Sequence, residues 1–334
     1  LQSMASLAGV ATNDTHGLLA RFGRETAGAL VILAGDEPPD RSSWAVEQYG
    51  VNEFDAEIVG LGPGLGVRDD TELSLAGLQN KLLLVATERG WGRPVGGQPS
   101  THILKIDDQR FPGLVSAEAA ALRLARGLGL GDLDPQLHQI EGVDCLIVAR
   151  YDRLRAADGT IGRVHQEDSC QALGVMPDAH RGRGKYESSG GPTFAQIASL
   201  LRRYSADPGD ELDRLVRVIA FTMIIGNADG HGKNLSLLYP APGMPTLAPL
   251  YDTVPTVLWP RLRTTAAMSV AGETEFIRIG LDAITREAEG WGMPGERARS
   301  LAVDVVERAL RAASGLGHDQ VGELVTGRAT QMLG

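Results

Sequence analysis

The sequence predicts an α+β fold in two lobes, a first half built on a mixed β-sheet and a second half made mostly of helices. Three observations predict it. Short apolar runs at residues 27–34, 82–86, 101–106 and 144–149, the first of them rich in β-branched residues, have the length of strands and all fall before residue 150. Helical periodicity fills the later half, over 193–204, 211–225, 295–313 and 318–332. Between these helices lies a polar loop, Gly226-Asn227-Ala228-Asp229-Gly230-His231-Gly232-Lys233-Asn234, entered from an apolar segment and followed later by Leu250-Tyr251-Asp252. The division is placed so that residues 4–150 form the first lobe and 151–334 the second.

Composition narrows the class. With 334 residues, 43% of them hydrophobic, the chain is long enough to bury a sizeable core. A net charge of -10 argues against a surface given over wholly to nucleic acid. Two cysteines, Cys145 and Cys170, make no disulfide framework and lack metal-ligand spacing. No apolar run reaches the about 18 residues of a membrane helix, and the amino end has no signal-peptide pattern. A cytoplasmic protein without a membrane partner is expected. Leu1-Gln2-Ser3 ahead of Met4 reads as a cleavage remnant.

Taken in order, a short helical pattern at 17–22 leads to the apolar run 27–34, and acidic, proline-containing 35–40 makes a turn. Residues 60–66 supply glycine and proline without a G-x-G-x-x-G register, so dinucleotide binding gets no support. Ser74-Leu75-Ala76-Gly77-Leu78-Gln79-Asn80-Lys81 is a small-residue turn running into a strand. Such a turn can lay backbone N–H groups against phosphates with Lys81 balancing charge, and it is equally the pattern of an ordinary turn with a solvated lysine.

Lys105 projects from the next strand, and Glu118 opens the helical pattern 117–130 that follows. A strand lysine held by a glutamate on the next helix is the phosphate-binding pair of kinases; an edge lysine in water and a first-turn glutamate favoured by the helix dipole fit the same residues. The strand 144–149 runs out through Arg150-Tyr151, where Tyr151 suits either an adenine wall or a core position. His102, His165, His180 and His231 show no H-E-x-x-H or other zinc spacing. Arg181, Arg183 and Lys185, spaced by glycines, suit an anionic partner or a solvated loop.

The polar loop carries the chemistry. Asp229 stands five positions before Asn234, and Asp252 comes on a separate turn. A phosphotransferase of the protein-kinase kind needs one carboxylate to orient the attacking hydroxyl and accept its proton. It also needs an amide oxygen five residues on for magnesium, and a second carboxylate for metal at the nucleotide phosphates. Asn, Asp and Gly also favour turns, but a bare turn requires neither that spacing nor the second aspartate. The fold class is therefore a bilobal, protein-kinase-like α+β fold.

These residues bring a resemblance into view. Ser74 to Lys81, Ser100-Thr101-His102-Ile103-Leu104-Lys105, Gln166-Glu167-Asp168-Ser169-Cys170-Gln171, Lys185-Tyr186-Glu187-Ser188 with Gly190-Gly191-Pro192, Asn227 to Asn234 and Leu250-Tyr251-Asp252 together resemble the HipA family of toxin serine/threonine kinases. The resemblance runs from about residue 18 to the end of the catalytic region. It implies ATP and Mg²⁺ as cofactors, Asp229 as proton acceptor, Asn234 and Asp252 as metal ligands and Lys105 as the phosphate-binding lysine. It implies a nucleotide lining of Ala76, Gly77, Leu78, Gln79, Asn80, Lys81, Ala149, Arg150, Tyr151, His231, Gly232, Lys233, Asn234, Tyr251 and Asp252, and autophosphorylation at Ser74 that switches the kinase off. Ala149 stands where family members can carry a glutamate, which leaves a backbone contact to adenine there.

The resemblance also implies an aminoacyl-tRNA synthetase as target, with inhibition of translation and persistence as the outcome, and a HipB-like helix-turn-helix antitoxin as partner, with DNA met only through that antitoxin. Residues 15–34 resemble the end of the family's amino-terminal subdomain, which implies the shorter, split HipT-type form in which a small HipS-like protein supplies the rest. Two other functions fit the residues less fully. A small-molecule kinase would use the same loop, and a catalytically silent antitoxin-binding module would have no chemical need for Lys105, Asp229, Asn234 and Asp252 together.

Overall fold

In a computed structural model, the protein is described over residues 2–36, 38, 40–60, 81–107, 110–240 and 244–334. The chain divides into two compact units, one of residues 1–116 and 135–165, the other of 117–134 and 166–334.

The first unit opens with α1 (Gln2–Ala8) and α2 (Thr15–Phe22), which close a small core around Ala5, Leu18 and Phe22. Asp14 caps α2 by accepting from the Gly17 N–H at 2.9 Å, which satisfies one of the otherwise orphaned first-turn amides. The sheet is built from β1 (Ala45–Gln48), β2 (Lys81–Thr87), β3 (Gly90–Val95), β4 (His102–Ile106), β5 (Gln136–Ile140) and β6 (Val143–Ala149). Its strands lie in the order β1-β3-β2-β4-β6-β5, each antiparallel to its neighbours.

Alternation along the strands sorts the side chains by face. Leu82, Leu84, Leu104, Ile106, Cys145 and Ile147 bury one face, closed by Ile58 of α3 (Glu53–Gly60). The opposite face carries Lys81, Leu83 and Val85 of β2 and Lys105 of β4, and the register sets Lys81 directly across from Lys105. Each Leu or Ile removed from water here contributes about 1.5–3 kcal/mol, so a one-residue slip of β2 or β4 is strongly opposed. The strands expected over 82–86, 101–106 and 144–149 are β2, β4 and β6, and the helix expected at 17–22 is α2.

The strand expected over 27–34 does not form. Gly28 takes φ +77, and its N–H donates to Asp152 at 2.7 Å. The carbonyls of Thr26 and Gly28 accept from the guanidiniums of Arg150 and Arg153. The Gly28 peptide groups go to side chains and the Ile32 N–H to the Gly23 carbonyl at 2.9 Å, partners other than a neighbouring strand, so apolar content alone misleads there.

Those side chains belong to a buried ionic network. Glu25, 1% exposed, accepts from Arg150 at 2.7 Å, Arg153 at 3.1 Å and Arg163 at 2.7 Å, and from the Ser100 hydroxyl at 2.7 Å. Asp152 binds Arg150 at 2.8 Å and Arg153 at 2.9 Å. Arg153 opens β7 (Arg153–Arg155), and Arg163 closes its hairpin partner β8 (Ile161–Arg163).

The second unit is helical. It takes in most of α4 (Leu114–Gly127), then β9 (His165–Asp168), α5 (Ser169–Ala172), α6 (Ala179–Gly182), α7 (Phe194–Tyr204) and α8 (Pro208–Ile224). After β10 (Ser236–Tyr239) and β11 (Thr246–Leu247) come α9 (Leu281–Gly290), α10 (Gly295–Ala312) and α11 (Asp319–Leu333). Helix α8 is the core element: Leu215, Val216, Ile219, Ala220, Phe221 and Ile224 are all fully buried among α7, α9, α10 and α11. Asp207 caps it by accepting from the Asp210 N–H, and Pro208 sits at its first position, where a missing N–H costs nothing. Helix α7 starts in a reciprocal capping box between Thr193 and Gln196. Strands β9, β10 and β11 pair in the order β11-β10-β9, and Leu247 of β11 is bonded to Glu211 and Arg214 in the first half of α8.

Candidate active site

Helix α8 stops where the polar loop begins. Gly226 takes φ +62, and a Cβ there would lie 2.4 Å from the Val257 side chain, so only glycine makes this turn. Buried Asn227 accepts from the Asp229 N–H at 3.1 Å through its Oδ1, and the Ala228 N–H donates to the Thr256 hydroxyl at 2.7 Å. The loop backbone is therefore fixed before its functional side chains begin.

Asp229 and Asn234 are tied to each other. The Asn234 Nδ2 donates to the Asp229 carbonyl oxygen at 2.9 Å, which leaves the amide Oδ1 of Asn234 turned away from that bond. The Asp229 carbonyl also accepts from the His231 N–H at 2.8 Å, and the His231 carbonyl from the Asn234 N–H at 2.8 Å. The Asp229 carboxylate stands 46% exposed. Its Oδ1 accepts from the Tyr186 hydroxyl at 2.6 Å and lies 3.6 Å from His231 Nε2. Burial pushes the His231 imidazole down to about 4, against the opposing pull of Asp229, so the ring is neutral at physiological pH. Its Nδ1 makes no hydrogen bond among the described residues.

The other second-unit residues of the expected site gather on this loop. The Tyr251 hydroxyl donates to the Lys233 carbonyl at 2.7 Å and shares a hydrogen with the Ser236 hydroxyl at 2.5 Å. Asp252 follows with φ +53, a backbone state that non-glycine residues seldom adopt. Its charge reaches His231. The Lys233 ammonium is held 2.6 Å from Asp168, the residue that caps α5, so Lys233 can offer a ligand its backbone but not its charge.

A second loop supports the first. Gly232 donates its N–H to the Lys185 carbonyl at 3.2 Å and lies so close to Pro192 that a Cβ would come within 2.5 Å of the ring. Gly232→Ala is accordingly expected to cost about 1–3 kcal/mol through overpacking against that rigid ring. It should also displace Asn234. Thermal melting together with phosphoryl-transfer assays checks both, and a variant with parental Tm and activity would contradict the packing described.

In the first unit, Lys81 and Lys105 are 8% and 6% exposed and face each other across β2 and β4. Cross-strand partners of this kind stand about 4.5–5.5 Å apart at Cβ, so two cations share one patch of sheet, a pattern suited to a polyanion. Ala149 ends β6. Next to it, the Arg150 side chain is consumed by Glu25, Asp152, Ser100 and Thr26. Only its backbone remains to meet a ligand. Tyr151 is partly buried. Glu118 is fully buried on α4 in the second unit, whereas Lys105 belongs to the first, so their pairing stays a proposal. Ser74, Ala76, Gly77, Leu78, Gln79 and Asn80 lie outside the described residues. The sequence shows Tyr186 only as part of a motif. Its place beside the Gly190-Gly191-Pro192 turn was the available signal, but its contact with Asp229 bridges 43 positions of sequence.

Comparison with known proteins shows what the chain is similar to. The family described as the HipA-like C-terminal domain matches residues 73–313. The chain is 38% identical to the Sinorhizobium fredii protein named "Putative kinase Y4mE", over 97% of this chain and 80% of that one. It is 28% identical to the serine/threonine-protein kinase toxin HipA of Shewanella oneidensis, over 91% of this chain and 70% of the relative. Among solved structures, the HipA, HipB and operator DNA complex of Shewanella oneidensis MR-1 contains a chain of the same fold, with TM-score 0.81 over 99% of this chain and 80% of that one. At 24% identity that likeness speaks for the fold.

Proposed function

This chain belongs to the HipA family through its HipA-like C-terminal domain, and we propose that it is an ATP-dependent serine/threonine protein kinase acting as the toxin of a toxin–antitoxin system. The observation that carries this reading is the bond between Asn234 and the Asp229 carbonyl. It fixes the backbone from which a half-exposed carboxylate extends and turns an amide oxygen outward on the same loop, with Asp252, whose charge reaches His231, on a separate turn.

In the proposed reaction the acceptor hydroxyl forms a new bond to the γ-phosphorus of ATP, the bond from that phosphorus to the bridging oxygen of ADP breaks, and the hydroxyl proton passes to the Asp229 carboxylate. Asp229 orients the hydroxyl. Lys105, with Lys81 across the sheet, holds phosphate charge. Neutral His231 and the backbone of residues 231–234 line the nucleotide, along with Tyr251 and the backbone of Ala149, Arg150 and Tyr151. Residues 76–81 are proposed to line the nucleotide, and Ser74 is proposed as the autophosphorylation site. Glu118 pairs with Lys105.

The donors present suit Mg²⁺. Asn234 Oδ1 and the Asp252 carboxylate are hard oxygen ligands, and Mg²⁺ takes one or two of these from protein and the rest from phosphate and water. Among the described residues no group of three or more His, Cys, Asp or Glu gathers to form an all-protein cage. When bound, the ion neutralises phosphate charge during transfer. Asn234→Ala and Asp252→Ala are each expected to abolish the rise in Tm that ATP with Mg²⁺ produces in the parent, a rise corresponding to about 2.7 kcal/mol at a hundredfold excess over Kd. A full Tm rise in both variants would contradict the ligand assignment.

The proposed target is an aminoacyl-tRNA synthetase, whose phosphorylation would stop translation and favour persistence. The proposed partners are a HipB-like antitoxin, supported by the complex in which the structural neighbour was solved, and a small HipS-like protein. DNA is met through the antitoxin. No described helix is long and apolar enough to cross a membrane, and a cytoplasmic location is proposed. Labelled ATP and cell lysate test the reading: label in a discrete protein band supports it, and label confined to metabolites favours a small-molecule kinase.

A further inference from the structure

We propose that Tyr186 is a positioning residue for phosphoryl transfer: its phenol holds Oδ1 of Asp229 so that Oδ2 is presented to the acceptor hydroxyl. The inference rests on the reading of Asp229 given above. A carboxylate that is 46% exposed turns freely about its side-chain torsions unless something holds it, and a turned carboxylate no longer lines up an acceptor. The 2.6 Å bond from the Tyr186 hydroxyl supplies the hold. A hydrogen bond to an ionised acceptor is shorter and roughly twice as strong as a neutral one. Oδ1 also faces His231 Nε2 at 3.6 Å, while no described residue hydrogen-bonds Oδ2. The two oxygens are thereby made unequal, one committed inward and one open.

Tyr186 is itself firmly mounted. Its N–H donates to the Arg183 carbonyl, and its carbonyl accepts from the Ser189 and Gly191 N–H groups, each at 2.9 Å. A Cβ on Gly191 would lie 2.7 Å from the Lys185 and Tyr186 backbone, so this tight loop requires glycine. Glu187, next in the chain, accepts from the Ser269 N–H at 2.6 Å and its hydroxyl at 2.7 Å. The ring meets the His231 imidazole edge-on at 5.2 Å. The Arg263 guanidinium stands 5.0 Å and the Lys185 ammonium 5.3 Å from its centre. Arg263 is in turn fixed by the Thr265 and Ala266 carbonyls.

Chemistry keeps the phenol a donor. Burial, joined by the bond to Asp229 and its charge, raises the Tyr186 phenol above its ordinary range, against the opposing charges of Arg263 and Arg183. Tyr186 therefore stays protonated wherever the kinase works. It contributes geometry and takes no proton during the step.

The test is Tyr186→Phe, which keeps the ring and its packing and removes one oxygen. Expected is a fall in kcat of about 10- to 100-fold, the scale of a misaligned reacting group, with the KM for ATP within about twofold of the parent. An unchanged kcat, a raised kcat or a change confined to KM overturns the proposal. A raised kcat would mean that the phenol blocks the acceptor's place. A parent protein that transfers no phosphate overturns the reading of Asp229 itself, and so is told apart from failure of Tyr186 alone. A second measurement reads the contact without activity. In 3-fluorotyrosine-labelled protein, the ¹⁹F resonance missing from Tyr186→Phe should titrate at lower pH once Asp229→Asn removes the carboxylate charge; a resonance that does not move overturns the proposal.

Discussion

Asp229→Ala is expected to lower phosphoryl transfer by a factor on the order of 10²–10⁴, the range associated with loss of a positioned acid–base group. The protein should still fold and bind ATP. The reason lies in how the loop is held: the Asp229 N–H bonds Asn227, and its carbonyl takes hydrogen bonds from His231 and Asn234. None of these uses the carboxylate. The side chain itself meets only Tyr186 and His231 among the described residues. Steady-state kinetics beside an ATP-induced Tm shift separates the two effects. Lost transfer with the Tm shift retained is the predicted pattern, and loss of both would mean that the carboxylate holds the loop together.

Glu25→Ala carries the largest expected effect on stability. One buried carboxylate there serves Arg150, Arg153 and Arg163, and Asp152 is the other acid bonded to Arg150 and Arg153. Removing Glu25 leaves guanidinium groups that are 2%, 2% and 8% exposed without their shared anion. Breaking such a network by one partner typically costs about 3–5 kcal/mol. The same side chain receives the Ser100 hydroxyl and N–H, and so ties the segment after α2 to the approach to β4. Thermal and urea unfolding should show the loss, with new protease cleavage in residues 24–33. A variant within about 0.5 kcal/mol of the parent, the scale of an ordinary surface change, would contradict the account of the network.

Much of the scaffold was legible in the sequence, for reasons that differ by element. Helices α7, α8, α10 and α11 bury apolar stripes at helical spacing, and α7, α8 and α11 also carry side-chain N-caps, so a short window is enough to find them. Strands β2, β4 and β6 were legible as short apolar runs because most of their residues are buried on both faces. Strand β1 was not: all four of its residues are exposed, and only its pairing with β3 makes it a strand. The segment 27–34 misled in the other direction, since the Gly28 peptide groups are taken by Asp152 and Arg153 side chains more than 100 positions away.

The site divides in the same way. Asp229 and Asn234 are five residues apart, and their mutual bond is local, so spacing exposed it. Lys81 facing Lys105 depends on strand register, and Tyr186 meeting Asp229 on the packing of two loops. Neither can be read from a window. The fate of the Arg150 and Lys233 charges, spent on Glu25 and Asp152 and on Asp168, also needed the fold. It turns two residues expected at the nucleotide into backbone contributors.

The most direct test of the central claim is intact and peptide mass spectrometry after incubation with ATP and Mg²⁺, on the parent and on Asp229→Ala in parallel. The account predicts one added phosphate in the parent, on the peptide containing Ser74, and none in the variant. Phosphate gained equally by both proteins, or by neither, would contradict the assignment of Asp229 as the group that makes this chain a kinase.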